Sequence, residues 1–95
     1  MMIATWKGKE IARSNDTVVV ENNHYFPEAD VHMELLEPTD LTTTCPWKGE
    51  ANYYSITVDD EVNKDAAWTY KNPKDAAKEI KNRIAFWKGV KVTKE

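Results

Sequence analysis

Apolar residues in this chain recur mostly at every second position, and turn-forming residues interrupt the runs at short intervals. That period sends side chains alternately to two faces and predicts a strand-rich domain. "IATWKGKEIA" (3–12) reads as a hairpin: a strand through Ile3 to Trp6, a turn at Lys7-Gly8, and a return through Ile11. Ser14 to Asp16 are turn residues, and Thr17 to Val20 form a β-branched run. "ENNHYFP" (21–27) breaks the pattern, and Pro27 ends any ladder that reaches it. "EADVHMELLE" (28–37) reads as a short helix or as a turn followed by a strand, and Val31, Met33 and Leu35, alternating with His32, Glu34 and Leu36, favour a strand in its second half. Thr42 to Thr44 predict a strand that Pro46 ends. Ala51 to Val58 reads as one strand, with Ala51, Tyr53, Ser55 and Thr57 on one face and Asn52, Tyr54, Ile56 and Val58 on the other. Asp59-Asp60 is then a turn, and Ala66, Trp68 and Tyr70 mark the next strand.

One segment has the other period. In "NPKDAAKEIKNRIAFW" (72–87), Ala76, Ala77, Ile80 and Ile84 keep helical spacing, with Asn72 suited to an N-cap and Pro73 to the first helical position. A short helix over Pro73 to Asn82 is predicted, with Glu79 and Arg83 placed to pair at i,i+4 and Lys74, Lys78 and Lys81 in solvent. After it, "IAFWKGVKV" (84–92) returns to strand.

Composition narrows the picture. With 95 residues the chain is sized for one domain with a small core, so its 11% of aromatic residues carry much of the burial. The 13 basic and 16 acidic residues leave a net charge of −3, which gives no general attraction to nucleic acid. No apolar run nears the roughly 20 residues of a membrane helix, so no membrane partner is expected. "MMIATW" has neither a charged leader region nor a long apolar stretch, and Cys45 is alone. A cytoplasmic setting is the economical expectation.

"WKG" occurs three times, at residues 6–8, 47–49 and 87–89, and accounts for every glycine in the chain. The flanking residues share no further pattern, so the first and third copies read as local devices: Trp packs on the core, Lys points to solvent, and Gly supplies the positive φ of a tight turn. The middle copy follows Cys45-Pro46, which sets a thiol, an indole and an ammonium close together.

"TTTCPWKGEANYY" (42–54), "HYFP" (24–27), "WKGKEIARS" (6–14) and "AAWTYKNPKDAAKEIKNRIAFW" (66–87) carry a resemblance, over nearly the whole chain, to the domain of unknown function 427 family. The resemblance implies a mostly-β domain, a β-tent of two antiparallel sheets meeting over a shared cavity, with one short helix. Many proteins of that architecture hold a structural zinc on paired cysteines, but one Cys and no CxxC leave that zinc without ligands here. The family sometimes carries a nucleotidyltransferase label, yet no Gly-Ser pair precedes an Asp-x-Asp, and "VDDE" (58–61) reads as a hairpin turn.

Three functions remain open. The first is a binding module that takes a small molecule in an aromatic-lined pocket between the sheets, built from Tyr25, Phe26, Cys45, Trp47, Lys48, Tyr53, Asn63, Trp68 and Tyr70, with Trp87 nearby. The plainer view makes these rings the core of a small domain. The second is a thiol-dependent enzyme using Cys45, with Lys48, His24 or His32 lowering the thiol pKa, although a lone cysteine more often serves as a small apolar filler. The third is a structural or protein-interaction module with an exposed sheet edge. His24, His32 and Cys45 show no ligand spacing, the clustered carboxylates no buried partner, and neither a metal nor a cofactor is expected.

Overall fold

Positive φ angles fall at the turns and fix how the strands pair. The computed structural model describes residues Met1–Glu95. Strands β1 (Met2–Trp6), β2 (Lys9–Ser14), β3 (Val18–Val20) and β4 (Asn23–Tyr25) are followed by β5 (Leu36–Cys45) and β6 (Gly49–Val58). The chain continues through β7 (Glu61–Thr69) and β8 (Ile84–Phe86) to β9 (Lys91–Lys94). Lys7-Gly8, Glu21-Asn22 and Asp59-Asp60 each have positive φ at both residues and join β1–β2, β3–β4 and β6–β7 by two-residue hairpin turns. That is the type I′ requirement, whose twist matches the flanking strands.

The protein is mostly β, and all its sheets are antiparallel. One three-stranded sheet runs β2-β1-β9, a four-stranded sheet runs β5-β6-β7-β8, and a ribbon, β3-β4, makes a third sheet beside the two expected. The ribbon continues into the larger sheet through a reciprocal bridge, Phe26 N–H to Ile84 C=O and Ile84 N–H to Phe26 C=O, both 2.8 Å.

Alternation along β6 divides the interior in two, as the pattern predicted. Tyr54, Ile56 and Val58 join Ala4, Ile11 and Ala12 of the three-stranded sheet in the main core, together with Phe26 and Phe86. Ala51, on the opposite face, joins Tyr25, Tyr70, Ala77, Ile80 and Ala85, with Tyr53 and Trp68 packed against them. This second cluster contains nothing from the three-stranded sheet. Each fully buried Ile or Phe contributes about 1.5–3 kcal/mol relative to exposure.

Two expectations about local structure need correction. The segment 72–87 forms 3-10 turns over Asp75–Ile80, capped at Lys74 with no side-chain hydrogen bond, and Ala77 has a non-helical φ of −122°. Asn72 and Pro73 do not begin a helix because residues 72–74 are bound to the loop before β6. Lys74 N–H donates to Lys48 C=O at 2.9 Å, and Lys74 Nζ to Pro46 C=O at 2.7 Å. Arg83 passes over Glu79 and donates to Asp16 C=O at 2.5 Å, which ties the ribbon down. Met33–Leu35 is likewise a 3-10 turn rather than a strand. His32 N–H is taken by Ile11 C=O at 2.8 Å, so this stretch crosses the end of β2 and does not pair lengthwise.

The glycines of the WKG copies are therefore not equivalent. Gly8 has φ +74° in open space, whereas Gly49 has φ +109° against the Asn72–Lys74 backbone. Gly8→Asn should cost less than about 1 kcal/mol, because Asn visits the left-handed region readily. Gly49→Ala should cost about 1–3 kcal/mol, since φ +109° strains any side chain. Urea denaturation of the two variants checks the order.

Candidate functional site

The predicted aromatic residues converge, though not between the two large sheets. Tyr25 at the end of β4 meets Trp68 edge-on at 6.2 Å and Tyr70 at 6.4 Å. Trp68 in turn contacts Tyr53 at 6.3 Å and Trp87 at 6.1 Å, and Tyr53 and Trp87 close the triangle at 6.4 Å. These five rings form one row on the outer face of β6, β7 and β8, away from the three-stranded sheet. Their separations are those of rings in contact, so they enclose no void. The row is graded in exposure: Tyr25 is fully buried, Tyr53 and Trp68 are half-buried, and Trp87 is 45% exposed.

Phe26 departs from this set. One residue beyond Tyr25, it points to the opposite side and packs edge-on against Phe86 at 5.6 Å in the main core. Asn63 is also elsewhere and donates to Lys88 C=O at 2.8 Å, which fixes the third WKG turn. Four of the five rings have hydrogen-bonded polar groups: Trp68 Nε1–H donates to Tyr25 Oη at 3.2 Å, Trp87 Nε1–H to Asp65 C=O at 2.6 Å, and Tyr53 Oη bonds Thr43 Oγ1 at 3.1 Å.

The middle WKG copy departs from the roles expected of the other two. Trp47 is 40% exposed, whereas Lys48 is only 7% exposed and does not point to solvent. The cause is the clamp from Lys74, which holds the loop Pro46–Lys48 so that the Lys48 stem runs inward over the aromatic row. Its ammonium sits 5.5 Å from the ring centres of both Trp47 and Tyr70 and pairs with the Glu21 carboxylate. Burial alone would lower the lysine pKa, but the Glu21 hydrogen bond and the nearby phenol oxygens of Tyr25 and Tyr70 outweigh it and raise it. The same hydrogen bond lowers the Glu21 pKa, with help from the Trp47 indole. Sequence reading missed Glu21, because "ENN" carried only a turn signal and its partner lies 27 residues away.

Cys45, half-buried at the end of β5, lies close enough to Tyr25 and Tyr70 for a thiolate there to affect their ionisation. Neither histidine serves it: His24 bonds Thr17 at 3.0 Å, and His32 lies 3.4 Å from Glu34. No three His, Cys, Asp or Glu side chains come together in a metal-binding group. The molecule's measurable depression, open and about 570 Å³, is lined by Pro38, Thr39, Asp40, Leu41, Lys64 and Asp65 and contains none of the predicted site residues. No helix is long and apolar enough to cross a membrane.

Comparison with protein families agrees with the motif reading. A family model described as "Domain of unknown function (DUF427)" matches residues 1–95. The chain belongs to the DUF427 family. Comparison with curated proteins gives no match. In this DUF427 domain the carboxylates of "VDDE" occupy the β6–β7 hairpin, with Asp59 and Asp60 at φ +49° and +66°.

Ionisation of the Lys48 cluster gives pH dependence of known sign. The folded Glu21 pKa lies below its ordinary value of 4.5, so the pair stabilises the DUF427 domain above that range and the contribution is lost as pH falls through the folded value. Burial raises the pKa of Tyr25, Tyr54 and Tyr70, so their neutral forms stabilise the fold up to 10 and lose that contribution as pH rises through the folded values. The stability gap between wild type and Glu21→Gln should therefore shrink as pH falls from about 7 to about 2, as read from urea midpoints.

Proposed function

We propose that this DUF427 domain is a small-molecule binding module whose recognition surface is the outer, partly exposed end of the aromatic row. The observation that carries the reading is the triangle of Tyr53, Trp68 and Trp87, three rings in mutual contact and none fully covered. An exposed apolar cluster on a chain this small is costly to leave in water, and such clusters mark contact sites. Because the rings touch, the guest does not enter among them. It lies flat on them, as a planar heterocycle stacking against an indole face. The indole of Trp87 is locked by its bond to Asp65 C=O, and Tyr53 by its bond to Thr43, so the platform is ordered before the ligand arrives.

The platform also carries its own reporter, since tryptophan emission responds to a stacked guest. Titration with purine, pteridine and indole heterocycles should give saturable quenching. Trp87→Ala should weaken it about three- to tenfold, corresponding to about 0.5–1.5 kcal/mol for one ring contact, while the domain stays folded by circular dichroism. Undiminished affinity in the folded variant would count against the platform.

A further inference from the structure

The Lys48–Glu21 ion pair is unequal at its two ends. Lys48 is a buried cation fixed through its own backbone, because its C=O accepts from Lys74 N–H and the loop before it is bound again by Lys74 Nζ. Neither bond involves Glu21. The Glu21 side chain, by contrast, is 53% exposed and stands in a hairpin turn of the short ribbon, at φ +52°. Its carboxylate takes the hydrogen bond of Lys48, and the indole of Trp47, 40% exposed, lies alongside and favours the same ionised form.

A buried ammonium whose loop is anchored independently of its counter-ion, and which also rests against the rings of Trp47 and Tyr70, can receive another anion in that counter-ion's place. We infer that Lys48 and Trp47 form a seat for a small aromatic carboxylate, and that the Glu21 side chain lies where the ligand's carboxylate goes. The ligand's carboxylate takes the charge-assisted bond to Lys48 Nζ, and its ring covers the open face of Trp47. Glu21, whose side chain is half exposed, then turns into solvent. It thus competes with the ligand and sets the affinity of the site. This deepens the binding-module reading but stands on Trp47 and Lys48 rather than on Trp87, so the two proposals fail separately.

Benzoate is the probe, with benzamide as its uncharged match, and the readout is the backbone amide signal of Gly49, next to Lys48 and present in every variant, in a two-dimensional NMR titration of the full chain. Glu21→Ala should bind benzoate about tenfold more tightly than wild type, because the internal competitor is gone, and should ignore benzamide. Adding Trp47→Ala to Glu21→Ala should remove most of the gain. Trp87→Ala in the same background should leave it intact. If Glu21→Ala shows no gain for benzoate, or responds equally to benzamide, the pair is only a structural tie between ribbon and loop and the inference is overturned.

Discussion

Strand β6 is the constraint on which the rest of the structure depends. It is paired on both edges, by β5 and by β7, and its two faces serve different interiors. A strand repeats every two residues, so neighbouring tyrosines part company: Tyr54 enters the core shared with the three-stranded sheet, and Tyr53 turns to the outer aromatic row. A slip of one residue would exchange them and put a half-exposed phenol in the main core. The register shift between Tyr54 and Ile56 is matched across the pair by Asp65, which has φ +56° and is held by Ser55 Oγ and Thr39 Oγ1. That bulge places Asp65 C=O where Trp87 Nε1–H can reach it, so the aromatic row depends on an irregularity in the sheet.

The outer face of the sheet has little regular structure to cover it. Residues 75–80 and the β3–β4 ribbon do so with Ala77, Ile80 and Tyr25, each anchored by contacts from distant parts of the chain. Arg83 reaches Asp16 across 67 positions, and Lys74 reaches Pro46 across 28. Where this cover ends, Tyr53, Trp68 and Trp87 come partly into solvent. The candidate site is thus the uncovered remainder of a second small core, which explains why its rings touch and why it has no cavity.

The three WKG copies show one tripeptide doing two kinds of work. At residues 6–8 and 87–89, Lys and Gly share the positive φ of a turn, and each ammonium lies over its own tryptophan, at 5.8 Å for Lys7 and 5.1 Å for Lys88. At 47–49 only Gly49 has a positive φ, and the lysine turns inward. The difference originates in Lys74, not in the tripeptide. Family membership places the CPWKG segment in a DUF427 domain, and the geometry gives that segment a buried charge to manage.

The sequence by itself determined what acts over a few residues. Two-residue turns at Lys7-Gly8 and Asp59-Asp60, the two-faced strand from Ala51 to Val58 and the strand-rich character all follow from backbone sterics and side-chain alternation, while the antiparallel sheets are implied by the family resemblance. Sterics and alternation are properties of adjacent positions. Only the tertiary structure decided the rest. It extended residues 72–74 against a loop and so displaced the helix start, sent Phe26 to one core and Tyr25 to another, took Arg83 from Glu79 and joined Lys48 to Glu21. Each of these outcomes sets a local preference of a few tenths to one kcal/mol against contacts with distant parts of the chain, which only the folded chain brings within reach. Several such contacts act together on one segment, so their sum outweighs the local preference.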